Sequence, residues 1–348
     1  MYDADELIAM SEVRQEADGQ SHSCRLSGRA PGPPLKWELS RCPVKSRSGG
    51  SYDARVAVSV HQEIAQQLAE TGSVMMIGAI DTGKTTMARR IVGAAVEAGR
   101  TVGYVDADIG NSSIGPPSCV SLKVVRTPGD LDHLDRPDAL HFVGGISAER
   151  LVLQQVIATA ALVEQARQSA DTVVIDTTGV ISGVGGETLK YHKMELCRPE
   201  VVVALQRGGE LDPVVGMLRR FFGARVVTAP VEPDVRPSSP DDRAGRRSAR
   251  FELAFAPPLE KWRVKPTVFA PTLPTGLDPS RLDGLLVGIH DAEGRCQGLG
   301  RLEVDDGTLR VLTNKGEGMQ GLRLGSVRID LDGFSAKPVN LREVMFGL

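Results

Sequence analysis

An α/β fold with a mostly parallel sheet flanked by helices is predicted by three features of the sequence. Short apolar runs alternate with stretches of helical period between Ser73 and Thr228. One of these runs, Ser73–Ile77, passes directly into a glycine-bounded loop and then into a helical segment. Beyond Pro271 the helical period stops and apolar runs are joined by Gly and Asp turns, which predicts a small, mostly β C-terminal domain.

Taken in order, residues 1–53 carry Gly28, Pro31, Gly32, Pro33 and Pro34, which break any helix, and a polar linker at Lys45–Ser51. The expectation there is a weakly structured N-terminal arm, with room for a short strand near Leu35–Leu39. Regular alternation then begins at the Ser73–Ile77 strand. Thr85–Ala98 has apolar residues at helical spacing (Met87, Ile91, Ala94, Ala95) and stops at Gly99. Thr101–Val105 and His141–Val143 read as strands, Arg150–Arg167 as a helix and Thr172–Ile175 as a strand. Glu187–Cys197 suits a helix, Glu200–Leu205 a strand, Pro213–Phe222 a helix and Ala224–Thr228 a strand. After the Pro-rich loop Pro230–Pro240, Ser239–Phe255 is a charged helical stretch. Leu285–His290, Cys296–Val304, Leu309–Leu312 and Val327–Leu331 are the C-terminal strands. The expected units are therefore 1–53, 54–260 and 261–348.

Composition narrows the function. The 348 residues are 41% hydrophobic and 24% charged with a net charge of −3, so a polyanion would have to be held by a local basic patch. The five cysteines are scattered and form no Cys-x-x-Cys pair, which argues against a disulfide framework and a zinc ribbon and favours reduced thiols in the cytoplasm. The six histidines are dispersed. Met1–Glu16 lacks the apolar core of a signal peptide, and no stretch is apolar enough to span a bilayer, so no membrane partner is expected.

Four stretches bear on chemistry. Gly78, Ala79, Ile80, Asp81, Thr82, Gly83, Lys84 and Thr85 match G-x-x-x-x-G-K-[ST], followed by Thr86. Its glycines let successive N–H groups point at phosphate oxygens, and the helix that follows presents its positive end to the same anion. Lys84 then reaches the terminal phosphates and the Thr85 hydroxyl meets Mg²⁺. The strand context marks this as an ATP site, with GTP also compatible. Asp106 and Asp108 end the next strand, and alternation places both on one side, so their repulsion needs a metal or hydrogen bonds. Val173–Ile175 ends in Asp176, an apolar strand leading to a carboxylate that can hold Mg²⁺, and Asp-x-x-Gly lets Gly179 swing toward a γ-phosphate. Arg243, Arg246, Arg247 and Arg250 lie at helical spacing; such a run is a solvated face or a lid that sets arginine on a transferring phosphoryl group. Lys190, His192 and Lys193 are expected on a surface helix.

These blocks resemble the polynucleotide 5′-hydroxyl kinase family, whose members serve pre-mRNA cleavage, tRNA splicing and ribosomal RNA processing. The resemblance runs through Gly78–Thr86, then Val105–Pro117, Phe142–Gly145, Asp176–Gly183 and Leu189–Lys190 to Arg198–Pro199. It implies ATP- and Mg²⁺-dependent transfer of the γ-phosphate to the 5′-OH end of RNA or DNA, with RNA-processing proteins as compatible partners. By position, Lys84 and Thr85 take the P-loop roles, and Asp108 takes that of the carboxylate contacting the 5′-OH and the metal. Asp176, read above as a metal ligand, is usual in the prokaryotic-type members but not in the eukaryotic ones, and Arg243 and Arg247 match the lid arginines within 239–255. The sequence departs from the pattern at Ile146-Ser147-Ala148, where the family has Thr-Ser-Pro, and at Asn111, where Gln is common. The chain is also too short before Ser73 for the N-terminal β domain of the eukaryotic members.

Two other readings share the motifs. A regulatory NTPase switch of the partitioning or metallochaperone type would carry a second lysine early in the loop, where Ala79 stands, or a Cys or His cluster. A non-catalytic ATP-bound scaffold would keep the same residues. Transfer of labelled γ-phosphate to an oligonucleotide separates them.

Overall fold

A computed structural model describes residues 54–305 and 307–347, and in it the apolar runs at 73–78, 102–107 and 172–177 form short strands that are buried at every position. The expected arm at 1–53 lies outside these residues. The chain runs through α1 (Ala54–Leu68), β1 (Ser73–Gly78), α2 (Lys84–Glu97), β2 (Val102–Ala107), β3 (Cys119–Val125) and β4 (Ala139–Phe142). It continues through α3 (Val152–Ser169), β5 (Thr172–Thr177), α4 (Gly183–Cys197), β6 (Val201–Gln206), α5 (Asp212–Phe222), β7 (Arg225–Pro230) and α6 (Pro240–Ala254). The last part holds β8 (Glu260–Arg263), β9 (Phe269–Ala270), β10 (Leu285–His290), β11 (Cys296–Asp305), β12 (Thr308–Thr313), β13 (Gly321–Asp330), β14 (Ser335–Pro338) and α7 (Leu341–Phe346).

Five strands form the parallel core, in the order β7-β6-β1-β5-β2. β1, β2 and β5 are buried at every position, as strands covered on both faces require. Ile64, Met87, Ile91 and Val92 close one face. Leu162, Val163, Met194, Val214 and Leu218 close the other. β3 and β4 add antiparallel strands, and β4 meets β11 through the pair Leu140–Cys296. The C-terminal strands thus prolong the same sheet, as β11-β10-β13-β14, around an apolar core that includes Val287, Leu302, Val311 and Leu322. At the seam, Phe142 packs with Phe251, Phe255, Leu286 and Val327.

Six elements were not foreseen: α1, β3, β8, β9, β14 and α7. α1 precedes the point where alternation was expected to begin, and β3 follows Pro116-Pro117. β3 carries Ser121 and Lys123 within an apolar run, so its period is masked.

Candidate phosphate-transfer site

Parallel strands that share a direction open their C-terminal ends on the same side, and ligands of such sheets bind there. β1 ends in the loop Gly78–Gly83. The turn into α2 needs a left-handed residue, supplied by Gly83 with φ of 82°. α2 then starts at Lys84, its N-terminus facing a cavity of about 900 Å³. Ile80, Asp81, Thr82, Gly83, Lys84, Thr85 and Thr86 line that cavity, together with Asp108, Thr178, Gly179, Arg243, Arg246, Arg247 and Arg250. Residues singled out in four separate stretches of sequence therefore converge on it; Gly78, Ala79, Asp106 and Asp176 do not line the cavity, and Asp176 is joined to it through Thr85.

Lys84 is not the solvent-facing side chain that the motif alone suggests. It is 7% exposed, and its Nζ donates to the Ala79 carbonyl at 2.6 Å. Burial pulls the Lys84 ammonium below its usual range, while Asp176 and then Asp108 hold it up.

Thr85 Oγ1 donates to Asp176 Oδ2 at 2.6 Å, and Asp176 Oδ1 is buried with no hydrogen-bond partner. An orphaned carboxylate oxygen beside a hydroxyl, at the foot of a phosphate loop, fits the oxygen-ligand preference of Mg²⁺. Burial raises the Asp176 carboxyl; Thr85 and then Lys84 oppose that rise.

Asp106 and Asp108 divide their work. Asp106 stands in register beside Asp176 on the neighbouring strand and is 2% exposed. Its Oδ2 accepts from Ser113 N, Ser113 Oγ and Ile114 N, and its Oδ1 from Asp108 N. Burial, and then Asp176, push it up to about 7 against the pull of these donors. Asp106 is thus a hub that folds the loop 108–114 and does not line the cavity; hydrogen bonds offset the repulsion. Asp108 lines the cavity, with Oδ1 held by Gly110 N and Asn111 N, both at 3.1 Å. Both of these hydrogen bonds fall on the same carboxylate oxygen.

α6 closes the far wall. Ser239 caps it, accepting from Asp242 N while Asp242 accepts from Ser239 N, and Pro240 opens its first turn. Phe251 is fully buried and anchors the helix, which turns its arginines toward the cavity. Arg243 forms an ion pair with Asp81 at 3.6 Å and donates to Ser238 O. Arg246 donates to Ser238 Oγ, and Arg250 to Ser113 O. Arg247 is half-buried, and burial followed by the Arg243 charge lowers its affinity for its proton. The sequence reading selected Arg243 and Arg247; Arg246 and Arg250 line the cavity with them, as do Arg89 and Arg236. Arg89 follows at α2's helical spacing from Thr85 and Thr86, a signal that was available.

The second basic cluster is corrected. Lys190 and Lys193 are not on a surface: they are 1% and 0% exposed. His192 is exposed and pairs with Glu195.

A phosphate loop on a parallel core, with a carboxylate–threonine pair below it and an arginine-bearing helix above, defines a P-loop nucleotide-binding protein. The model of the mRNA cleavage and polyadenylation factor CLP1 P-loop matches residues 78–256, and the chain belongs to that family. A polyribonucleotide 5′-hydroxyl-kinase of Pyrococcus horikoshii is 31% identical over 326 residues, covering 78% of this chain and 90% of its own. One from Methanocaldococcus jannaschii is 25% identical over 319 residues, covering 75% and 88%. The rat polyribonucleotide 5′-hydroxyl-kinase Clp1 is 28% identical over 193 residues, 52% of this chain and 44% of its own. A solved structure of a Clp1p–Pcf11p complex superposes with a TM-score of 0.59 at 14% identity over 80% of each chain, a likeness of fold. Among the described residues no helix is long and apolar enough to cross a membrane.

Proposed function

We propose that the protein is a polynucleotide 5′-hydroxyl kinase of the cytoplasm, moving the γ-phosphate of ATP to the 5′-OH end of RNA or DNA. The observation that carries this reading is the placement of Asp108 in the same cavity as Lys84, Thr85 and the α6 arginines. A switch NTPase needs the phosphate-binding parts; an alcohol acceptor needs in addition a carboxylate within reach of its proton.

The chain's own residues divide the task. The loop from Gly78 to Thr86 receives the phosphates on backbone N–H groups, and Lys84 leaves the Ala79 carbonyl to meet them. Thr85 and Asp176, with Asp108 beside them, would hold Mg²⁺, which when bound neutralises charge on the phosphate oxygens. The oxygen of Asp108 without a backbone donor accepts the 5′-hydroxyl proton as the alcohol attacks in line with the leaving diphosphate. Arg243 and Arg247 supply positive charge where it accumulates on the transferring group. Arg243 must first exchange Asp81 for phosphate. The family names of its relatives also favour RNA-processing proteins as partners.

The test is incubation with γ-labelled ATP and oligonucleotides that differ only at the 5′ end. Label is expected on 5′-OH RNA or DNA and absent from 5′-phosphorylated controls. ATP binding without label on either nucleic acid would favour the switch or the scaffold.

A further inference from the structure

α4 buries a continuous stripe formed by Gly186, Leu189, Lys190, Lys193, Met194 and Cys197. Two of these six are lysines, and they sit at the centre of the stripe. A helix that needed only to cover the sheet would carry Leu or Met there. Ammonium groups taken out of water cost stability unless their partners repay them. What they touch is therefore informative.

Lys190 Nζ donates to Thr177 Oγ1 at 2.8 Å and to the Thr178 carbonyl at 2.7 Å. Thr177 Oγ1 donates its own hydrogen bond to Met76 O of β1 at 2.7 Å. Lys190 thus binds the turn that follows Asp176 to the strand that feeds the phosphate loop. That turn presses on the loop: a Cβ on Gly179 would stand 2.6 Å from Ile80 N. Lys193 Nζ lies 3.5 Å from the Ala107 carbonyl, the residue before Asp108, which also accepts from Gln155 Nε2 at 2.6 Å. The nearby charges are Lys84 of α2, Asp106 and Asp108 of β2 and its loop, Asp176 of β5 and Cys197 of α4. Three carboxylates thus face three lysines.

We propose that Lys190 and Lys193 are positioning residues of the transfer site, clamping from beneath the strand ends that carry Asp176 and Asp108. This rests on the kinase reading above. Lys190 sets the Thr177–Gly179 turn against the phosphate loop, and Lys193 with Gln155 sets the peptide that aims Asp108. Neither lysine touches the reacting atoms. Both act through backbone, so their loss displaces groups that remain present.

The experiment compares wild type with Lys190→Met, Lys190→Gln and Lys193→Met. It measures kcat and KM for ATP in transfer to a 5′-OH oligonucleotide, the Kd of ATP, and Tm. Met fills the volume without the charge, and Gln returns a donor. Positioning predicts that Lys190→Met lowers kcat by between about ten- and a hundredfold, the cost of a small misplacement. Lys190→Gln should recover part of this, and Lys193→Met should show a smaller loss of the same kind. KM and Kd should stay within about threefold and Tm should not fall. If either Met variant loses Tm and kcat together with a raised KM, the lysines serve stability and the proposal is overturned. It is equally overturned if all variants keep kcat within about threefold of wild type. Should Lys190→Met fail to fold, Lys190→Gln and Lys193→Met decide by the same criteria. Wild-type labelling in the same run reports on the kinase reading, while the ratio of variant to wild type reports on the lysines.

Discussion

Lys84 and Asp81 are both engaged by protein neighbours at the site. Lys84 bonds to Ala79 O, and Asp81, held at φ of 55°, accepts from Ser238 N at 2.7 Å while pairing with Arg243. Lys84 and Arg243 thus each have a protein partner. Lys84→Ala should therefore abolish nucleotide-dependent transfer while changing stability by about 1 kcal/mol or less, since relief of a buried charge offsets the lost bond. Labelling and thermal melting of the same preparation check this. Full transfer by a folded variant would contradict the assignment of the loop. Lys84, Thr85 and Asp176 were legible because their chemistry forces residue type and spacing together. Lys190 and Lys193 were not, because charged residues at helical spacing read as a solvated face. Only the sheet packed over α4 shows that they face inward.

At the scale of elements, the fold follows from where apolar runs stop. The apolar runs of β1, β2, β5 and β6 stop at Gly78, Asp106, Asp176 and Gln206, although β2 and β5 go on to Ala107 and Thr177. β3 was hidden by its polar interruptions, and α1 by its position before the expected start of alternation. α6 was legible as a helix, and its arginine spacing suggested a lid, but the orientation depends on Phe251 entering the seam core beside Phe142. A helix so anchored can present arginine to the cavity at fixed height. With its charge acting on the transition state as proposed, Arg247→Ala should lower kcat far more than it raises the KM for ATP, by about tenfold or more. Steady-state kinetics with varied ATP checks this. A change confined to oligonucleotide affinity, with a weaker salt dependence, would make Arg247 a contact to the nucleic-acid backbone instead.

Over the whole molecule, the parallel core and the C-terminal strands form one sheet, a continuity the sequence could not reveal because the β4–β11 junction rests on a single pair between distant segments. Burial of charge beneath this sheet has a global consequence. Burial lowers the Lys193 ammonium from 10.5 to about 8. Between those values the unfolded chain holds a proton that the folded chain has lost, so stability rises with pH across the window and is lost as pH falls through 8. Cys197, raised by burial from 9 to about 11, acts in the opposite sense above pH 9. From pH 7 to 9, wild type should gain roughly 1 kcal/mol of unfolding free energy relative to Lys193→Met. Urea unfolding at both pH values measures it, and equal slopes would contradict the burial of this charge. The central claim is that the cavity serves an alcohol acceptor, and it rests on Asp108. Asp108→Asn keeps the shape and removes the charge. The most direct measurement is γ-label on a 5′-OH oligonucleotide, taken beside ATP binding for wild type and Asp108→Asn. The account predicts labelling by wild type, ATP affinity within a few-fold in the variant, and transfer reduced by at least about a hundredfold, the low end for a general base. Wild-type protein that binds ATP yet labels neither RNA nor DNA would contradict the kinase, and undiminished labelling by Asp108→Asn would contradict Asp108 as its base.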